Sequence, residues 1–187
     1  MGRSFDESFI IQRIKEGDKE AFSHIIDRYG QKVFQTSIGF VRDISEAEDL
    51  VQDIFIKVYE KLDKFKGESA FSTWLYRIAV NMAINRSRKL KMRSFFSSVE
   101  GSEVLLNEVY RSVGNDTIIE EKEKRAIIQK AIEKLTLMQR KVFVLSYYQD
   151  MANSEVAEVL GITVKAVESL LFRARKRLQE QLKKVEF

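Results

Sequence analysis

The chain contains no cysteine, which excludes a disulfide framework, a cysteine zinc site and a thiol nucleophile, and fits a reducing compartment such as the cytoplasm. Proline is absent too, whereas average usage of roughly 5% would give about nine in a chain of this length. Helices that are never interrupted are the simplest explanation. A single histidine, His24, cannot build a zinc site or a paired proton relay. No phosphate loop of the Gly-x-x-x-x-Gly-Lys type occurs, so an enzyme is disfavoured and no metal or cofactor is called for. No apolar run approaches the ~18 residues that a membrane span needs, and the N-terminus lacks a basic-then-apolar layout. Neither membrane insertion nor a cleaved secretion signal is expected.

What is present is 187 residues, 44% of them apolar, enough for one ordinary domain or two small helical ones. Lys plus Arg total 32 against 28 Asp plus Glu, a net of +4, but the signs are segregated. Residues 1–68 hold 11 basic and 14 acidic side chains, residues 69–93 hold 6 basic and none acidic, and 118–187 hold 14 basic and 10 acidic. Blocks of opposite potential attract different molecules over about a Debye length, ~10 Å, so one acidic and one basic partner surface are expected.

Nearly every segment outside 93–117 repeats its apolar residues at the 3.6-residue helical period, and none sustains strand alternation. The fold class expected is all-α: two small helical domains, 1–92 and 118–187, joined by a flexible linker over 93–117. That linker carries Ser94, Ser97, Ser98, Gly101, Ser102 and Gly114, but also Phe95, Phe96, Leu105, Leu106 and Tyr110. These apolar side chains would be costly to leave wet, so part of the linker is expected to dock or fold on a partner.

In the segment 45–62, Ser45 followed by Glu48 has the spacing of a capping box. Ala47, Leu50, Val51, Ile54, Phe55, Val58, Tyr59 and Leu62 form a core-facing stripe. On the opposite side Asp49, Gln52, Asp53 and Ile56 fall at i, i+3, i+4 and i+7, an acidic strip around an outward isoleucine and a candidate docking face. A plain solvated flank would look the same.

The next segment, 65–91, mixes rings with cations. Phe65, Gly67, Ser69, Phe71 and Trp74 lead into a helix free of acidic residues. At ~100° per residue, Phe71, Leu75, Ile78 and Met82 point to the core, while Thr73, Arg77, Asn81 and Arg88 share the other side. Arg77 and Arg88 can neutralise phosphates, Asn81 can bond a base edge, and Trp74 or Phe65 can stack on an unpaired base. Equally, Trp74 and Tyr76 could be core aromatics, with Arg86, Arg88 and Lys89 favouring the helix C-terminal dipole.

Near the C-terminus, Ala157, Gly161, Val167 and Leu170 have the spacing of a helix-turn-helix. A small residue permits close crossing, a glycine permits the left-handed turn, and two aliphatics fill the wedge. Val167, Leu171, Ala174, Leu178 and Leu182 make the buried stripe of the second helix, leaving Lys165, Glu168, Ser169, Phe172, Arg173 and Lys176 outward. Arg173 can fork onto guanine, Phe172 can touch a thymine methyl, and Arg175, Lys176 and Arg177 can hold phosphates.

The chain as a whole resembles an extracytoplasmic-function (ECF) sigma factor, the promoter-recognition subunit of bacterial RNA polymerase. The resemblance rests on Glu16-Gly17-Asp18 with Ala21-Phe22, on Glu46 to Phe55, on Phe71 to Asn81 reading FSTWLYRIAVN, on Gln139 to Phe143, and on Phe172 to Leu178. It implies that Asp49, Gln52, Asp53 and Ile56 grip the clamp helices of the polymerase largest subunit. Phe65, Gly67, Ser69, Phe71 and Asn81 would wall the pocket for a flipped minus-ten base, and Glu168, Ser169, Phe172 and Arg173 would face minus-35 bases. An anti-sigma protein, which commonly holds such factors, is implied as a further partner. Departures from the family pattern are Thr136, where a proline often follows the leucine, and Glu168 and Leu170, where many members are basic. A stand-alone helix-turn-helix regulator and a helical interaction protein without DNA function remain competing readings.

Overall fold

The computed structural model describes residues 7–41, 43–99 and 127–183. Helices α1 (Glu7–Lys15), α2 (Ala21–Ile38), α3 (Ile44–Lys61) and α4 (Phe71–Val99) form the N-terminal region. Helices α5 (127–133), α6 (Leu137–Tyr148), α7 (Asn153–Leu160) and α8 (Val164–Leu182) form the C-terminal one. No strand occurs among the described residues. Among them, too, no helix is long and apolar enough to cross a membrane.

Local chemistry accounts for the helix starts. Asp18 accepts from the Ala21 N–H at 3.1 Å, and that bond, followed by the hydrogen bond from Arg13, holds its carboxyl below the usual carboxylate range. The cap of α3 is Asp43, which accepts from the Glu46 N–H at 3.0 Å. The Ser45 and Glu48 box read from the sequence is therefore displaced: Ser45 already lies inside the helix, and Asp43 has the extended backbone that a cap requires. In α6 the departure from the family pattern explains itself. Thr136 Oγ1 accepts from the Gln139 N–H at 3.4 Å while Gln139 Oε1 accepts from the Thr136 N–H at 3.0 Å, a reciprocal cap that no proline could make.

The core of the N-terminal region is made where α1 to α4 turn their apolar faces together. Ile25, Val33, Ala47, Leu50, Ile54, Val58, Leu75 and Ala79 are buried there, each large aliphatic stabilising the fold by roughly 1.5–3 kcal/mol relative to exposure. Tyr59, expected in the α3 stripe, is instead 40% exposed, its ring edge-on to Phe22 at 5.1 Å. Helix α4 also runs on through Val99, so the first residues of the expected linker, 93–99, continue the helix. The remainder of that linker, with Leu105, Leu106 and Tyr110, lies outside the described residues.

Two features of the C-terminal region follow the spacing. Gly161 adopts φ +65°, closing α7 with the Ile162 N–H bonded to the Ala157 carbonyl at 3.0 Å. Val167, Leu171, Ala174 and Leu178 are buried; Ala174 and Leu178 join Ala131, Ile132 and Leu135 in a cluster of their own that fastens α5 to α8.

The two regions do not stand apart. Val142, Val144, Leu145, Val156 and Val159 of α6 and α7 belong to the same continuous core as α1 to α4, and α2 and α4 pack directly on α6 and α7.

Candidate nucleic-acid interface

Three surfaces follow from this packing. On α3 the outward strip is present as the period dictates: Asp49, Gln52, Asp53 and Ile56 are exposed, Ile56 at 59%. A side chain assigned only a dipole role from the sequence shapes this strip. Arg86 of α4 reaches across, with Nη2 at 3.1 Å from Asp53 and Nη1 at 3.3 Å from Glu46. Arg86 stands 33 positions from Asp53 in the chain, so the sequence carries no signal for this pairing, and only the α3–α4 crossing brings the groups together.

On α4 the expected polar arc is divided. Asn81 and Arg88 are exposed. Thr73 is not: it is 4% exposed, buried with the core rather than lining the outward side. The reason is that α4 is covered on several sides, so that Leu75, Tyr76, Ala79, Val80, Ala83 and Ile84 are all buried as well, and a single-stripe reading underestimates how much of the helix is interior. Phe71 is 2% exposed and centres a ring cluster with Tyr29 at 5.8 Å, Phe65 at 5.5 Å and Trp74 at 5.7 Å. Phe65 and Trp74, 5.4 Å apart, are half-buried at the rim of that cluster, so each keeps a part-open ring. The preceding turn is held by Lys15 Nζ donating to the Phe65 carbonyl at 2.8 Å, with Gly67 at φ +76°, a conformation open to glycine at little cost. Gly67 is exposed and Ser69 half-exposed beside it. Burial, with the neighbouring Glu7, raises the Tyr29 phenol to about 12, and burial pushes Tyr76 well above its ordinary value. Both remain neutral donors at physiological pH.

Arg77 is turned to a use that its spacing did not foretell. Nη2 donates to the Glu158 carbonyl at 2.6 Å and Nε to the Val159 carbonyl at 3.3 Å, both at the C-terminal end of α7, where a cation complements the helix dipole.

On α8 the outward face is intact. Lys165, Glu168, Ser169, Phe172, Arg173, Lys176 and Arg177 are all exposed, Phe172 at 70%. Arg173 folds back on Ser169, its Nη2 at 2.9 Å from the hydroxyl. Arg175 leans over the Tyr147 ring, 5.5 Å from its centroid, and donates to its hydroxyl. Tyr147 in turn stacks on Phe143 at 4.5 Å. Such a face, one ring among cations on the second helix of a helix-turn-helix, fits the major groove of duplex DNA.

Comparison with known proteins matches residues 25–93 to Sigma-70 region 2 and residues 125–178 to Sigma-70, region 4. The ECF RNA polymerase sigma factor SigW of Bacillus subtilis (strain 168) is 36% identical over 179 residues, covering 92% of this chain and 95% of SigW. This chain belongs to the ECF sigma factors. Its function is that of the family: a sigma factor binds core RNA polymerase and directs initiation at promoters carrying minus-ten and minus-35 elements. Among solved structures, CnrH in complex with the cytosolic domain of CnrY superposes with a TM-score of 0.72 at 26% identity, covering 95% of this sigma factor and 97% of CnrH. The sigma factor RpoE in complex with the anti-sigma factor NepR, from Bartonella quintana, gives 0.59 at 25% identity, covering 87% and 96%. Sigma region 2 thus covers most of α2, all of α3 and α4 as far as residue 93, and region 4 holds the helix-turn-helix.

Proposed function

We propose that the three surfaces divide the work of initiation. The α3 strip, Asp49, Gln52, Asp53 and Ile56, docks on the clamp helices of the largest polymerase subunit. The α4 surface with its turn, namely Phe65, Gly67, Ser69, Trp74, Arg77, Asn81 and Arg88, melts and reads the minus-ten element, while Phe71 and Thr73 act from beneath by shaping that surface. The α8 face reads the minus-35 duplex through Glu168, Ser169, Phe172 and Arg173, with Lys165, Arg175, Lys176 and Arg177 on phosphates. The chain acts in the cytoplasm as a binding subunit without chemistry of its own. An anti-sigma protein is its inhibitory partner, a reading supported by the similarity to RpoE, solved with NepR.

The observation that carries this reading is the separation of charge by helix: an exposed isoleucine among carboxylates on α3, an exposed phenylalanine among cations on α8. Run-off transcription with core polymerase is the test. The double reversal Asp49→Lys with Asp53→Lys is expected to abolish polymerase co-purification and run-off product while helical circular dichroism is unchanged, because both side chains are exposed. Undiminished co-purification by the folded variant would remove α3 from the docking surface.

A further inference from the structure

The Glu16-Gly17-Asp18 turn takes no part in the three surfaces, yet it is built to a definite geometry. Gly17 stands at φ +101°; its N–H bonds to the Ile14 carbonyl and the Asp18 N–H to the Arg13 carbonyl, each at 3.0 Å. This paired closure ends α1 firmly, and the Arg13 guanidinium reinforces it by pairing with the Asp18 carboxylate. Lys15 is thereby fixed as the last residue of the helix, with Ile10, Ile11 and Ile14 anchored in the core behind it.

From that position the Lys15 side chain crosses to the turn before α4. Its Nζ donates to the Phe65 carbonyl at 2.8 Å, just beyond the 3-10 turn Leu62–Lys64. The Phe65 N–H is already bonded to the Leu62 carbonyl at 3.0 Å, so both polar backbone groups of this residue are held, one locally and one by α1. What the tie places is the Phe65 ring, 5.5 Å from Phe71 and 5.4 Å from Trp74. At the other end of α1, Glu7 accepts from the Tyr29 hydroxyl, and the Tyr29 ring lies 5.8 Å from Phe71. Helix α1 thus grips the ring cluster from both of its ends, about 12 Å apart, although it precedes residue 25, where the match to region 2 begins.

We infer that Lys15 is a positioning residue for promoter opening: through the Phe65 carbonyl it sets the turn from which the Phe65 and Trp74 rings meet an unpaired minus-ten base. The inference rests on the minus-ten reading of the α4 surface. Extruding a base from the duplex costs stacking and pairing energy, and a ring already in place offsets more of that cost than one that must be ordered on contact. The crest of the turn, Lys66, Gly67 and Glu68, is exposed and has little packing of its own with which to supply that order. An ammonium that held a phosphate instead would differ in its response to salt, because each phosphate contact adds to the salt dependence of DNA binding.

The test compares Lys15→Met, which keeps the length of the side chain and loses the donor, with Lys15→Arg, which keeps a donor. Trp74 is the only tryptophan of the chain, so its fluorescence reports the turn without DNA or polymerase. In the free full chain, Lys15→Met is expected to make Trp74 more open to acrylamide quenching while helical circular dichroism is unchanged, since Lys15 is exposed. In holoenzyme assembled with core polymerase, permanganate oxidation of thymines placed in the minus-ten element measures opening. Lys15→Met is expected to lower the opened fraction roughly tenfold, with co-purification of polymerase and the salt slope of promoter binding unaltered, and Lys15→Arg to recover most of the loss. Unchanged Trp74 quenching, unchanged opening, or a Lys15→Arg variant as impaired as Lys15→Met would overturn the inference. A salt slope smaller by about 1 would overturn it too, making Lys15 a phosphate contact. Asn81→Ala tests the α4 surface separately: undiminished opening by that variant as well would remove the minus-ten reading itself, whereas undiminished opening by Lys15→Met alone removes only the role of Lys15.

Discussion

Helices α4 and α8 are both proposed to meet DNA, both are rich in arginine, and they differ in how far around the helix their neighbours reach. Helix α8 is packed along one stripe, so period 3.6 separates it into an interior row and an outward row, and every outward residue named for minus-35 contact is accessible. Helix α4 is packed by α2, α3 and α7 at once. Its outward arc is therefore broken up: Thr73 goes to the interior, Arg77 bonds to region 4, and Asn81 and Arg88 stand clear, while Arg86 beside the arc turns to the α3 carboxylates. A reading helix on the rim of a fold can be read from its own sequence. One in the middle needs its neighbours.

The contrast is sharpest at two phenylalanines. Phe71→Ala removes the centre of a four-ring cluster and is expected to cost about 3–5 kcal/mol of stability, measured by denaturant unfolding. Phe172→Ala, on a 70% exposed side chain, is expected to change stability by less than about 0.5 kcal/mol. Comparable losses in the two variants would erase the distinction between the helices. On α8, Arg173→Ala is expected to weaken duplex binding by about 1–3 kcal/mol and to relax preference at one base pair. Binding titrations on single-base-pair variants of the minus-35 element check this, and an equal loss on every duplex would make Arg173 a phosphate contact instead. A local effect concerns the entry to region 4. Thr136→Ala removes half of a reciprocal cap and is expected to lower stability by ~1 kcal/mol, seen as a shift in denaturation midpoint without a change in slope. No shift would leave the start of α6 held by packing alone.

What the sequence disclosed follows the same division. The outward strip of α3, the Gly161 turn and the α8 stripe each arise from residues within one or two helical turns, and local spacing is enough to find them. Thr73 and Tyr59 lie elsewhere than the same arithmetic expects, and Arg77 is outward as its spacing requires but bonded to carbonyls that spacing cannot show, because their surroundings are supplied by segments far along the chain. The α3 cap moved from Ser45 to Asp43 for a smaller reason. Both residues can cap, and only backbone dihedrals decide between them. The burial of Arg140 and Gln149 was beyond reach: Arg140 was visible only as part of a family motif, and Gln149 ends α6 with nothing in its neighbours to show that it would be buried and bonded to residues 32 and 76.

The Arg77 bonds bear on more than the position of region 4. The last carbonyls of an eight-residue helix are supported here by a side chain more than eighty positions away in the chain, and a helix this short has little cooperativity with which to hold its final turn unaided. In an Arg77→Ala variant that turn is left without those bonds, and amide exchange there should quicken. An element of region 4 thus owes part of its order to a side chain of region 2.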